Sequence, residues 1–247
     1  MHRFFINPHQ ISAQGVNFPP DVTHQILHVL RLSEGDSVEV LIDDGYSLLT
    51  KLHIDPEGKS VIGEVVERNF VKSEPRINLH LYFGLSNRDK VEWILQKSTE
   101  IGVSAFNPFV SSRTIVRDKK LPEKKRQRWE RIIREAAEQS NRGRLPILNN
   151  PIELLDGISK SPTLAKQCFL AWEGADTQND KLADVIFPQN EGVIAVFVGP
   201  EGGFAEDEIQ QAKSSGIKMI SLGSRILRLE TAAIVFPALV LFALGEM

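Results

Sequence analysis

Residues 193–244 constrain the fold more than any other stretch, because they read as two strand–loop–helix units in direct succession. VIAVFV at 193–198 is apolar without interruption, the pattern of a strand buried on both faces of a parallel sheet. It runs into Gly199, Pro200, Glu201, Gly202 and Gly203, and a helix then opens with Glu206, Asp207 and Glu208. Acids in a first turn complement the helix dipole, and Gly216 stands where a C-terminal cap belongs. A second strand at 219–222 leads into GSRILRLET and a last helix. Both loops leave the carboxyl ends of strands, where open α/β sheets bind their ligands. The expected class is α/β with a parallel sheet.

The first loop lacks the Lys-Ser/Thr of a P-loop and the G-x-G-x-x-G spacing of a dinucleotide fold. Glu201 in its middle would repel a polyphosphate; ribose hydroxyls, an adenine amino group or a cationic ligand suit it better. A plain tight turn also accounts for a lone glycine-rich loop. Paired with the second loop, LGSRILRLETA, it resembles the signature of the RsmE family, the 16S ribosomal RNA (uracil-N3)-methyltransferases of the SPOUT superfamily. The resemblance implies S-adenosylmethionine as methyl donor and a C-terminal trefoil knot whose loops hold it. The implied donor site takes Gly199, Pro200, Glu201, Gly202 and Gly203 from one loop, and Leu222, Gly223, Ile226, Leu227, Arg228 and Thr231 from the next. A third loop, after CFLAWEG at 168–174, adds Trp172 and Glu173. A half-buried structural role is the alternative for Trp172. The sequence departs from the family pattern at Leu229, where a threonine is common.

The 247 residues suffice for two modest domains, expected at 1–72 and 73–247. In the first, strands are expected at 3–6, 38–42, 47–54 and 60–68, with a helix over 21–29, together suggesting a small barrel. HVLRLSEGD at 28–36 resembles the family's N-terminal PUA-like domain, which implies RNA docking through Arg3, His28 and Arg31. Cations at a helix C-terminus account for His28 and Arg31 equally well. The second domain begins with a strand at 77–85, a helix over 89–102 and a strand at 105–110. Lys90, Lys97 and Glu100 match positions in the family's helix, although a solvated helix face also explains Lys90. Residues 149–192 are the least informative.

Net charge is −3, yet residues 113–144 hold twelve Arg plus Lys against five Asp plus Glu, a local balance of +7. Such asymmetry points to a polyanion more strongly than net charge does. Trp129, Ile132, Ile133, Ala136 and Ala137 recur at helical spacing, so a helix over 123–140 presents its apolar stripe to the core. Pairs such as Glu130 with Arg134 fit an ordinary charged face, but not the flanking Arg113, Arg117, Lys119, Lys120, Arg142 and Arg144. Arg113 and Arg117 are therefore candidates for RNA phosphates. EAAEQSNRGR at 135–144 resembles the family's E-A-x-x-Q-x-x-R segment, which places Gln139 and Arg142 near the RNA.

A single cysteine, Cys168, excludes an internal disulfide and a cysteine-rich zinc site, and no metal is expected. The N-terminal MHRFFINPHQ has no apolar core of signal-peptide type, and the apolar run 231–244 is too short to span a bilayer. A cytoplasmic protein without a membrane partner is expected. That last run is apolar nearly all round and needs burial on most sides. The family is dimeric through this region, which implies a homodimer.

The implied substrate is 16S ribosomal RNA, naked or within the small ribosomal subunit. Uridine N3 carries a proton on the Watson–Crick edge, so the base must be unpaired and the proton must leave. Glu201 is an available carboxylate, but an ordinary pKa of about 4.3 makes it a feeble base unless burial raises it. Stabilising the uridine anion needs a fixed cation, for which Arg228 is the first candidate and Arg225 the second. Arg228 could instead pair with Glu230, the donor's carboxylate or an RNA phosphate. A non-catalytic RNA-binding assembly factor of the same fold is the competing function.

Overall fold

Short β-branched and aromatic runs, punctuated by turns at Gly35, Gly45 and Gly58, make the N-terminal part strand-rich. The computed structural model describes residues 1–116, 120–176, 178–185 and 191–247. It divides into two units, Met1–Glu74 with Ala137–Leu145, and Pro75–Ala136 with Pro146–Met247.

The first unit holds β1 (Arg3–Phe5), β2 (Ile11–Ser12), β3 (Gly15–Asn17), β4 (Ser37–Leu41), β5 (Tyr46–Ile54) and β6 (Val61–Phe70). They form one sheet in the order β1-β4-β5-β6-β3-β2, antiparallel except for β1 beside β4. Helix α1 (Pro20–His24) passes directly into a π-helical turn, Gln25–Val29, so the expected helix is present but changes its winding halfway. Phe4, Val16, Ile26, Val38, Val40 and Leu52 make the core. The segment 137–145 is tied in through Glu74. Its carboxylate takes two 3.0 Å hydrogen bonds from the Arg142 guanidinium, and accepts the amides of Gly143 and Arg144 at 2.8 and 3.1 Å.

The second unit runs β7 (Ile77–Gly84), α2 (Arg88–Ile101), β8 (Ala105–Val110), α3 (Glu123–Gln139), β9 (Ile147–Leu148) and β10 (Ile152–Glu153). Then come α4 (Leu154–Leu164), β11 (Gln167–Ala171), α5 (Leu182–Val185), β12 (Gly192–Val198), α6 (Glu206–Ser214), β13 (Lys218–Ile220) and α7 (Leu229–Ala243). The C-terminal end of α3 belongs to the first unit. The sheet order is β10-β8-β7-β12-β11-β13, with β9 also on β8, and every pair is parallel.

Alternation along the central strands loads both faces. Leu79, Leu81, Phe83, Ile194, Val196 and Val198 pack with α2 and α7 residues such as Val91, Ile94, Phe236 and Val240. Tyr82, Ala195 and Phe197 turn to the other side, with Leu154 and Ile158 of α4 and Ile209 and Ala212 of α6. Burying each large aliphatic or aromatic side chain contributes about 1.5–3 kcal/mol, and the last five residues of β12 are all buried, so its C-terminal loop starts from a firmly anchored strand end.

Inside α7, Pro237 has no N–H to give the carbonyl of Ala233 one turn back. Ser98 of α2 fills the gap, its buried hydroxyl donating to that carbonyl at 3.1 Å. The proline is thereby kept inside a packed helix without an orphaned acceptor.

Candidate active site

Three loops meet at the C-terminal edge of this sheet, after β11, β12 and β13, and enclose a cleft of about 530 Å³. Gly199, Pro200, Glu201, Gly202 and Gly203 all line it, as do Trp172 and Glu173 from the loop after β11. The loop after β13 contributes Leu222, Gly223, Arg225, Ile226, Leu227 and Arg228. Thr231 corrects the sequence reading: it is exposed and absent from the lining. Helix α7 starts at Leu229, and Leu229 and Ala232, one turn apart, take the cleft-facing side; two residues beyond Leu229 the helix faces elsewhere.

Close backbone approaches shape the loop after β12. A Cβ on Gly84, the last residue of β7, would lie 2.5 Å from the nitrogen of Pro200. A Cβ on Gly202 would lie 2.9 Å from Cβ of Arg113 and 3.1 Å from its carbonyl oxygen. Arg113 also donates from Nη1 to the Gly202 carbonyl at 3.1 Å. It braces the loop from outside.

Glu201 is held by two donors. Lys90, in the first turn of α2, reaches its Oε1 at 2.7 Å, and the Ser86 hydroxyl donates to the same oxygen. Burial alone raises this carboxyl, but the hydrogen bonds from Lys90 and Ser86, with its own amide, outweigh burial and hold it below the usual carboxylate range. A general base needs the opposite shift. Held by two donors and shifted down, Glu201 is placed as an ionised acceptor, which argues against the general-base role that the sequence leaves open for it.

Lys90 lines the cleft, although a solvated helix face explains it equally well in the sequence. Its position depends on β7 lying directly beside β12, a pairing of residues 77–83 with 192–198 that local patterning does not encode. Leu229, where the sequence departs from the family pattern, lines the cleft, as do Ala171, Val198, Phe204 and Ala232, which no motif in the sequence marks. Strand ends and helix starts were the available signal for them.

Arg225 and Arg228 are exposed at the rim, and neither has a partner among the described residues. Arg228 does not pair with Glu230, whose Oε2 is buried without a hydrogen-bond partner. Trp172 is half-buried, lines the cleft, and carries the Lys213 ammonium 5.0 Å from its ring centroid.

The RNA methyltransferase domain family matches residues 72–241. The ribosomal RNA small subunit methyltransferase E of Bacillus subtilis (strain 168) is 33% identical over 243 residues, covering 94% of this chain and 93% of the relative. The chain belongs to the ribosomal RNA small subunit methyltransferase E family. A relative of the same name from Mesomycoplasma hyopneumoniae (strain 232) is 31% identical over 95% of this chain and 96% of its own. The crystal structure of a ribosomal RNA small subunit methyltransferase E from Neisseria gonorrhoeae, bound to S-adenosyl methionine, superposes with a TM-score of 0.85 at 31% identity, over 98% of this chain and 97% of that one.

In this member of the methyltransferase E family the expected RNA contacts separate into several groups. Arg142 is 3% exposed and committed to Glu74, so it organises its own loop rather than meeting a phosphate. Arg3 is likewise sequestered, its side chain 8% exposed and paired with Glu39 across β1 and β4. Both corrections have one cause: the acid that neutralises each arginine is remote in sequence. His28 is exposed on the π-helical turn, its ring 4.9 Å from that of His24, and Arg31 follows, exposed, with φ of 55°. Gln139 is exposed at the end of α3. Arg117 lies outside the described residues. Within α3, Arg126 and Arg128 pair with Glu130 and Glu92, which draws down the local positive balance. Among the described residues no helix is long and apolar enough to cross a membrane, and no cluster of His, Cys, Asp and Glu could hold a metal.

Proposed function

We propose that the chain methylates N3 of a uridine in 16S ribosomal RNA, with S-adenosylmethionine as donor and the cleft at the ends of β11, β12 and β13 as the site. The observation that carries this reading is the pair of unpartnered guanidinium groups, Arg225 and Arg228, at the rim of a glycine-lined cleft whose carboxylate is held ionised. The lining fits the donor: about 530 Å³ lies within the usual range for small-molecule sites, and the carboxylates of Glu173 and Glu201 suit a ligand that is cationic at sulfur. When bound, that ligand supplies an electrophilic methyl group.

The chain's residues then have distinct work. Neutral imide nitrogen is a poor nucleophile, so the N3 proton must go to water. Arg228, with Arg225 three residues before it, offers a permanently charged fork for the anion that forms on O2 and O4. Glu201 accepts from the donor through the oxygen that Ser86 and Lys90 leave open. The reading includes a homodimer in the cytoplasm, a trefoil knot in the C-terminal part and a PUA-like barrel at 1–72 that docks RNA, all supported by family membership and by the residue resemblances. Nucleotide mapping of ribosomal RNA from a strain lacking the protein should show one N3-methyluridine missing from the small-subunit RNA. An unchanged methylation map would overturn the assignment and favour an assembly factor.

A further inference from the structure

The second half of β6 differs from every other strand of the first unit. β3 covers its outer edge only at Ile62 and Gly63, and from Glu64 to Phe70 every residue is exposed. The strand ends in Phe70, 62% exposed, which pairs across to Tyr46 on β5; the rings meet edge to face with centroids 5.5 Å apart. The Arg68 guanidinium lies 4.2 Å from the Tyr46 ring centroid and is fixed by Asp44 at 2.7 Å. Arg144 comes to the same corner from the 137–145 loop: its Nε would lie 3.4 Å from a Cβ on Gly45. Its side chain is exposed and has no partner among the described residues. Glu74 anchors the backbone of that loop, so this cation is presented from a fixed position.

Single exposed apolar side chains need no explanation, but a paired aromatic corner flanked by two guanidinium groups is not required by the fold. A partner strand added to the open edge of β6 would meet Glu64, Glu67 and Arg68, the kind of charged side chains that discourage edge pairing. Cross-strand register puts both of those acids on the face away from Tyr46 and Phe70: Glu64 pairs with Lys51 and Glu67 with Leu49, whereas Tyr46 and Leu48 pair with Phe70 and Arg68. An aromatic face next to an unneutralised guanidinium matches one repeating chemistry, a base followed by a phosphate.

We propose that Tyr46, Phe70 and Arg144 form a stacking platform for an unpaired nucleotide of the RNA, with the base on Phe70 and the adjacent phosphate on Arg144. This rests on the reading that RNA is the substrate. The test uses the full chain and a fluorescein-labelled short single-stranded RNA of mixed sequence, titrated across a range of salt. Phe70→Ala and Phe70→Leu should each weaken binding roughly tenfold with the salt slope unchanged, and Phe70→Trp should restore it. Loss in the leucine variant separates ring stacking from plain apolar contact. Arg144→Ala should reduce the slope of log K against log salt by about 0.7, one phosphate on a single strand. S-adenosylmethionine affinity, measured by calorimetry, should stay at the wild-type value in all four variants. Wild-type affinity and slope in Phe70→Leu and Arg144→Ala, with RNA still bound by the wild type, would overturn the platform alone. A wild-type protein that binds none of this RNA would also overturn the platform, whereas the proposed function stands or falls on the methylation map.

Discussion

Lys90 and Arg228 are cations at one cleft, but they have different partners and should fail differently. Arg228 has no partner among the described residues and lines the cleft, where the proposed function assigns it to the charge that develops on the base. Arg228→Ala should cut the single-turnover methylation rate by roughly 10²–10³, the scale of one preorganised donor to a developing anion, while donor affinity stays constant. Raising the pH should partly restore the rate, since uridine then ionises unaided. Lys90 acts through Glu201. In Lys90→Met the burial that raises the carboxyl is opposed by Ser86 and its own amide only, so the pKa of Glu201 moves up. Donor affinity should fall by roughly fivefold, the scale of a partly exposed ion pair. It should fall further as pH drops through the raised pKa, and Lys90→Arg should recover most of it. A rate loss in Lys90→Met with wild-type donor affinity at all pH would contradict this division. Gly202 illustrates how far residues alone could be read: the sequence places it in a glycine-rich ligand loop, but the atoms that exclude a side chain there belong to Arg113. That contact spans 89 positions and no local pattern announces it.

At the scale of elements, legibility follows period and length. The apolar run of β12 and the stripe of α3 declare themselves, whereas α4, with Gly157 in its first turn and Pro162 inside, has weak helix propensity and is held by packing of Leu154 and Ile158. Helix α7 was legible as apolar all round, but its phase was not, because the start at Leu229 sets which side faces the cleft. Its integrity at Pro237 is equally invisible in the sequence, since the remedy lies on another helix. Ser98→Ala removes the hydroxyl that satisfies the Ala233 carbonyl and leaves a buried acceptor alone. The loss should be about 1–3 kcal/mol of unfolding free energy, read from denaturant midpoints with an unchanged m-value. A midpoint equal to wild type would mean that water or a bent backbone serves the carbonyl instead.

For the whole molecule, the sequence supports two chain regions and a parallel sheet, while the strand order that brings β7 beside β12 arises only when distant segments assemble. The same limit applies to charge: the excess of +7 at 113–144 is readable, its neutralisation by Glu74 and Glu92 is not. The proposed homodimer belongs to this scale. Leu241 is a poor probe of it, because it is fully buried within one chain and a charge there would unfold the second unit. The outward side of α7 carries Leu239 and Phe242, 41% and 71% exposed, and α2, which packs against α7, carries Trp93 at 59%. These three exposed apolar side chains, on two helices that pack together, mark where the proposed second copy of the chain would sit. Phe242→Glu places a charge on that surface without entering the core. Light scattering at micromolar concentration should therefore give a dimer for the wild type and a folded monomer for Phe242→Glu, with circular dichroism unchanged. A wild-type monomer, or a variant that stays dimeric, would move the interface away from α7 or remove it.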